Sequence, residues 1–140
     1  MEYFLDSNIF LRFLVPDDNN PKFFSDCKKL FNYIETRKIT VSTASYIYAE
    51  IVWVLKSFYH FKKHKIIEAL RVFEASSISI DNRVDQKFVL DLFEKYNVKF
   101  IDCLIASHKD IQKGAMAIVS YDKDFDVLGI KRFEPQDVKV

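Results

Sequence analysis

The chain has 140 residues, of which 49% are hydrophobic and 16% aromatic, and its formal net charge is +1 at pH 7. This composition excludes a disordered chain, since disordered segments are poor in aromatic residues, and it predicts one domain over residues 1–140. No apolar run approaches the roughly 20 residues of a membrane-spanning helix. The two cysteines, Cys27 and Cys103, are too few for a disulfide framework, so we expect reduced thiols in a cytoplasmic protein.

The spacing of apolar residues predicts strands that alternate with helices. In the first half the predicted elements are strand 3–5, helix 9–14, helix 23–36, strand 39–41, helix 45–59 and helix 65–75. In the second half they are strand 78–80, helix 84–96, helix 101–112, strand 115–119 and strand 129–133. This alternation indicates an α/β fold with a mainly parallel central sheet, whose functional groups gather beyond the carboxyl ends of the strands.

Four acidic residues stand in apolar segments, whereas most other acids of the chain lie in polar stretches. Asp6 and Asp122 each follow a predicted strand, Glu50 lies within an apolar helix, and Asp102 lies near the start of another. An ionised carboxylate among buried side chains costs several kcal/mol unless a partner compensates it. A divalent cation such as Mg²⁺ or Mn²⁺, which takes oxygen ligands, would compensate all four. The pattern therefore favours a metal site formed by these four acids.

Each of these acids also has a simpler explanation. Asp6 and Asp102 are placed to cap the helices that follow them, because Asp is a favoured N-cap residue. Asp122 is placed to start a turn. Glu50 lies in the middle of a helix and has no capping role, so its alternative is a salt bridge. The residues alone leave these alternatives open.

The segments that carry the four acids resemble the motifs of PIN-domain proteins, a family of ribonucleases. They are residues 4–11 (FLDSNIFL), 42–50 (STASYIYAE), 100–107 (FIDCLIAS) and 119–125 (VSYDKDF). They stand in the order of the family and cover nearly the whole chain. Among PIN proteins the chain most resembles the VapC-type toxins, which are small stand-alone PIN domains.

The resemblance implies a PIN-like three-layer α/β/α sandwich around a mainly parallel sheet of four or five strands. It implies an endoribonuclease that requires Mg²⁺ or Mn²⁺, with Asp6, Glu50, Asp102 and Asp122 as catalytic metal ligands. It also implies a homodimer, an RNA substrate and a cognate antitoxin, as in a type II toxin–antitoxin pair. Two alternatives are a housekeeping RNA-processing nuclease and a non-catalytic module that binds RNA or protein.

The fourth motif contains three alternating acids, Asp122, Asp124 and Asp126. Asp122 stands two residues after Ser120, as the acid of the family motif does, so we place it first and expect Asp126 on the surface. Further polar residues of the motifs are expected to orient the acids, namely Asn8, Thr43 and Ser120. Three basic residues near the motifs are candidate contacts for substrate phosphates, although a solvated surface position is the favoured explanation for each, namely Arg12, Lys109 and Lys123.

Overall fold

The computed structural model describes every residue, Met1–Val140. The strands are β1 (Glu2–Leu5), β2 (Thr40–Thr43), β3 (Ile78–Ile80), β4 (Met116–Val119) and β5 (Arg132–Phe133). The helices are α1 (Ser7–Leu14), α2 (Pro21–Glu35), α3 (Ser45–Ser57), α4 (Lys63–Glu74), α5 (Gln86–Lys95), α6 (Phe100–Ala106), α7 (Lys109–Gln112) and α8 (Asp124–Val127), with a 3₁₀ turn over Pro135–Asp137. No helix is both long enough and apolar enough to cross a bilayer.

The five strands form one sheet in the order β3-β2-β1-β4-β5, and every neighbouring pair is parallel. All four residues of β4 are buried, and so are the last three of β1, because helices cover both faces of the sheet at its centre. The edge strands β3 and β5 are short and partly exposed. This arrangement confirms the predicted α/β fold with a parallel sheet of five strands flanked by helices.

An aromatic cluster packs α1 against α2 and α4. The ring centroids of Phe10 and Phe73 are 4.9 Å apart, and those of Phe13 and Phe31 are also 4.9 Å apart. Such aromatic pairs contribute roughly 0.5–1.5 kcal/mol beyond the area they bury. Because the cluster holds α1 in place, it also fixes the first turn of α1, which follows β1 directly.

The single helix predicted over residues 101–112 is wrong, because the structure divides it into α6 and α7. His108 adopts an extended backbone with φ −61° and ψ 125°, and its Nδ1 accepts the Asp110 N–H at 3.1 Å, which caps α7. The Ser107 hydroxyl donates to the Leu104 carbonyl at 2.8 Å and completes the end of α6. Side chains that bond to the nearby backbone interrupt the helix here, although the apolar spacing continues through it.

The last predicted strand, 129–133, is shorter in the structure, and α8 precedes it without having been predicted. Gly129 has φ +71° and follows the end of α8, so it belongs to the helix terminus and not to a strand. Only Arg132 and Phe133 pair with β4. The helix α8 is four residues long, which is too short for its periodicity to be recognised in the sequence.

Candidate metal centre

The candidate site begins where the two central strands end. Asp6 follows β1 and Ser120 follows β4, and the Ser120 hydroxyl donates to Oδ2 of Asp6 at 2.7 Å. These residues are 114 positions apart in the chain, but Leu5 pairs with Val119 in neighbouring parallel strands. The parallel arrangement therefore brings the first and fourth motifs together at one edge of the sheet.

Asp6 is 4% exposed and its carboxylate is held by several donors. Its Oδ1 accepts the Ser7 N–H at 2.8 Å, so Asp6 caps α1, and its Oδ2 also accepts from the Asn8 amide at 3.2 Å. Burial raises the pKa of Asp6 to about 6, against the hydrogen bonds from Ser120 and Ser7, which lower it. The capping explanation for Asp6 is therefore confirmed, and the same carboxylate also faces the site.

Glu50 lies on α3 and contacts the site through Ser7. The Ser7 hydroxyl donates to Oε1 of Glu50. Glu50 is therefore held by a hydrogen bond and not by the salt bridge considered as the alternative explanation for this residue. The charge of Glu50 contributes to the raised pKa of Asp6, so the two carboxylates lie within electrostatic reach of each other. Ser7 was missed by the sequence reasoning, although its position between Asp6 and Asn8 at the start of a helix was a signal.

Asp102 is the least satisfied polar side chain of the protein. It is 1% exposed, and neither of its carboxylate oxygens has a hydrogen-bond partner. Burial raises its pKa to about 7, with the negative charges of Asp122 and Asp6 adding to the effect and Lys99 opposing it. The capping explanation for Asp102 is wrong, since Lys99 holds the N-cap position of α6. An ionised carboxylate that is buried without donors is destabilising, and a bound cation would compensate its charge.

Two further acids lie beside Asp102. Carboxylate oxygens of Asp102, Asp122 and Asp124 all lie within 4.8 Å of one another. Oδ1 of Asp122 accepts the Asp124 N–H at 2.9 Å, so the turn explanation for Asp122 is confirmed as well. This group of oxygens fits a hard divalent cation, which needs oxygen ligands and few carboxylates. Asp126 lies apart from them on the surface and pairs with Arg132 at 3.0 Å.

The polar residues of the motifs connect these acids. The Ser120 hydroxyl donates to Asp6 at 2.7 Å, and its oxygen accepts from the Asn8 amide and from the Asp122 N–H, both at 3.0 Å. One donated and two accepted bonds use the full capacity of a hydroxyl group. The Thr43 hydroxyl does not contact a carboxylate. It donates to the Leu5 carbonyl at 2.9 Å and so supports the end of β1.

The three basic residues considered as substrate contacts lie in different places. The Arg12 guanidinium lies 4.4 Å from the centroid of the Phe23 ring. Lys109 lines a separate cleft of about 430 Å³, and Lys123 is exposed directly between Asp122 and Asp124. The cation that contacts the acids most closely was missed: Lys99 Nζ lies 3.2 Å from Oδ2 of Asp122. Its position three residues before Asp102, just ahead of the predicted helix 101–112, was the available signal.

Comparison with known proteins identifies the family. The model of the PIN domain matches residues 3–131. The chain belongs to the PIN domain family. No curated protein matches this sequence. The resemblance seen in the four motifs is thus confirmed at the level of the family.

Solved structures share the fold of this PIN domain. VapC20 of Mycobacterium tuberculosis, a sarcin-ricin loop cleaving toxin, is 14% identical with a TM-score of 0.68, covering 95% of this chain and 99% of that chain. VapBC2 of Rickettsia felis, bound to a DNA fragment from its promoter, is 21% identical with a TM-score of 0.65. The match covers 96% of this chain and 98% of that chain. At these identities the likeness establishes the common fold.

Proposed function

We propose that this PIN domain is a metal-dependent endoribonuclease that acts as the toxin of a type II toxin–antitoxin pair. The observation that carries the proposal is the buried carboxylate of Asp102, which has no donor and lies beside Asp122 and Asp124. The likeness to VapC20, a sarcin-ricin loop cleaving toxin, supports the proposed class of activity.

The acids would hold one or two ions of Mg²⁺ or Mn²⁺. Asp102, Asp122 and Asp124 are the proposed direct ligands, and Asp6 and Glu50 complete the negative surroundings. When bound, such an ion supplies Lewis-acid chemistry that activates water and neutralises charge on a phosphodiester. Asp124 is thus added to the predicted ligands, and Asp6 and Glu50 become the outer members of the set.

The residues of the chain have separate tasks in this mechanism. Ser120 and Asn8 hold the Asp6 carboxylate in one orientation. Oε1 of Glu50 accepts from Ser7, so Oε2 is the oxygen proposed to take the proton of the attacking water. The water oxygen bonds to phosphorus and the bond to the 3′ oxygen breaks, with solvent protonating the leaving oxygen. The products are a 5′-phosphate and a 3′-hydroxyl.

Cleavage of single-stranded RNA by the purified protein tests the reaction. We expect cleavage with Mg²⁺ or Mn²⁺, loss of cleavage with excess chelator, and recovery when the ion is restored. Mass spectrometry of the fragments should show 5′-phosphate and 3′-hydroxyl ends. Cleavage that persists in chelator, or ends that carry a cyclic phosphate, would refute the metal-dependent mechanism. Binding of RNA without cleavage would favour the non-catalytic module.

The toxin role has a separate test. We expect expression of the protein to arrest growth, and co-expression of a small partner protein to relieve the arrest. Growth without arrest, together with active RNA cleavage, would favour the housekeeping nuclease instead. This outcome would leave the nuclease proposal intact, because it concerns the biological role and not the reaction.

We also propose that residues 1–140 form one domain, which assembles as a homodimer in the cytoplasm. Trp53 and Phe58 are 67% and 70% exposed, and large apolar side chains that remain exposed favour a second copy or a protein partner. The unpaired thiols of Cys27 and Cys103 agree with a reducing compartment. Light scattering of the purified protein would measure the oligomeric state, and a monomer at micromolar concentration would contradict the dimer.

A further inference from the structure

Lys99 lies at the metal centre without belonging to the acidic motifs. It occupies the N-cap position of α6, and its Nζ lies 3.2 Å from Oδ2 of Asp122. Among the three proposed ligands, Asp122 is the one that forms an ion pair. The Lys99 side chain is 61% exposed, so its ammonium reaches the centre from the solvent side.

The electrostatic coupling between Lys99 and the acids runs in both directions. Burial acts to lower the pKa of Lys99, but the charges of Asp102 and Asp122 outweigh it and raise that pKa above its ordinary value. Conversely, Lys99 opposes the rise in the pKa of Asp102. The ammonium therefore lies in the negative potential of the same oxygens that are proposed to bind the ion.

The two carboxylate oxygens of Asp122 have different partners, and this difference determines where an incoming ion meets Lys99. Oδ1 accepts the Asp124 N–H at 2.9 Å, which is a bond of the turn that leads into α8. Oδ2 is paired with the Lys99 ammonium. Oδ2 is the oxygen of Asp122 that the turn leaves unused, so an ion that takes Asp122 through this oxygen meets the Lys99 ammonium there.

We infer that Lys99 is a tethered cation that competes with the divalent ion for Oδ2 of Asp122 and thereby sets the ion affinity of the centre. The inference rests on the proposed metal-dependent function. An ammonium on a flexible four-carbon stem leaves such a pair at low cost, since a partly exposed ion pair is weak. Ion binding and release of Lys99 from Asp122 are thus coupled, and the centre fills at a higher ion concentration than its oxygens alone would require.

Calorimetric titration of the full chain with Mn²⁺ tests the inference. Lys99→Met removes the charge and keeps most of the stem, so Mn²⁺ should bind on the order of tenfold more tightly than in the wild type. Lys99→Arg keeps the charge and should stay near the wild-type affinity. Lys113→Met is the matched control, because Lys113 is exposed and precedes the opposite end of β4. It removes the same charge and should leave the affinity unchanged.

The rise in Tm on addition of Mn²⁺ is a readout that a purely structural role of Lys99 would leave unchanged. In Lys99→Met we expect a lower Tm without Mn²⁺, since Asp122 loses its partner, and a larger rise in Tm at a fixed Mn²⁺ concentration. Lys99→Gln, a second neutral variant, should behave alike. Unchanged Mn²⁺ affinity in both neutral variants, or an equal gain in Lys113→Met, would overturn the inference while the metal centre stands. Absence of Mn²⁺ binding in the wild type and all variants would overturn the proposed function as well.

Discussion

Two groups of acids, one around Asp102 and one around Asp81, are satisfied in opposite ways. Asp102 is buried with both oxygens unpartnered. Asp81 follows β3, and its carboxylate accepts from the Arg83 guanidinium at 2.8 and 3.0 Å and lies 2.8 Å from Nε2 of the buried His108. Arg83 also pairs with Asp110 at 3.1 Å. The Asp81 group is thus complete within the protein, whereas the group around Asp102 is not.

The pKa values of Asp81 and Asp102 are shifted in opposite directions, in agreement with their partners. Hydrogen bonds from Arg83 hold the pKa of Asp81 well below its usual range, although partial burial opposes them. Burial raises the pKa of Asp102 to about 7 because no donor offsets it. An acid that the protein satisfies stabilises the fold at neutral pH, and an acid that the protein leaves unsatisfied is suited to bind an ion from outside. This contrast supports a structural role for the Asp81 group and agrees with the proposed metal-binding role of the Asp102 group.

The largest expected effect is that of Asp102→Asn. We expect metal-dependent RNA cleavage to fall on the order of 10³-fold or more, because a ligand of the proposed ion is lost. At pH 8 without metal the same variant should be more stable than the wild type by on the order of 2 kcal/mol, because a buried charge is removed. Chemical denaturation and a cleavage assay measure the two effects. A stable variant with full activity would remove Asp102 from the site.

The pH dependence of the free energy of unfolding, compared between the wild type and Asp102→Asn, tests the raised pKa of Asp102. Between about pH 4 and pH 7 the folded wild type keeps the Asp102 proton that the unfolded chain has lost, so its free energy of unfolding should fall as the pH rises through this window. Asp6, with a pKa of about 6, should add a smaller decline of the same sign. Asp102→Asn should show only that smaller decline. An identical fall of the free energy of unfolding with pH in the two proteins would show that Asp102 has no raised pKa in the metal-free state.

The next largest effect concerns the group around Asp81, whose carboxylate has its partners within the protein. Asp81→Ala should lower the free energy of unfolding at pH 7 by about 3 kcal/mol, because His108 stays buried without its partner. Mn²⁺ affinity, measured by calorimetry on the folded protein, should stay within a factor of about two. Asp18→Ala, which removes an exposed acid, is the control for loss of charge. A strong loss of Mn²⁺ affinity in Asp81→Ala would join the two groups into one functional unit.

The smallest effect separates neighbouring acids of the fourth motif. Asp124→Asn should weaken Mn²⁺ binding roughly tenfold, since Asp124 shares the group of oxygens with Asp102 and Asp122. Asp126→Asn should leave the affinity unchanged, because Asp126 pairs with Arg132 on the surface. Equal affinities of the two variants for Mn²⁺ would remove Asp124 from the proposed ligands.

Much of the fold followed from local patterns, and the failures have local causes. The buried strands β1 and β4 are continuous apolar runs, which is typical of central parallel strands, and both were predicted. The break between α6 and α7 was missed because it depends on side-chain bonds of Ser107 and His108, which leave the apolar spacing unchanged. The division into a single domain stays a prediction.

The site was predicted as a set of acids but not as an arrangement. Asp6, Glu50, Asp102 and Asp122 were recognised by their apolar surroundings and by the family motifs. The roles of Asp102 and Asp122 as ligands, and of Asp6 and Glu50 as outer members of the set, remain proposals. Asp124 was one of three alternating acids, and only its place beside Asp102 raises it to a proposed ligand. Lys99 was not considered, because a lysine before a helix resembles any other surface residue.

The amino-acid sequence by itself determined the alternation of strands and helices, the apolar centre of the sheet and the membership of the PIN family, because each depends on residue types at short spacing. The tertiary structure decided which carboxylates have partners: Ser120 contacts Asp6 across the chain, Lys99 contacts Asp122, and Asp102 contacts no donor. The physical reason is that the state of a buried charge depends on the groups within a few ångströms of it. Those groups come from distant parts of the chain that only folding brings together.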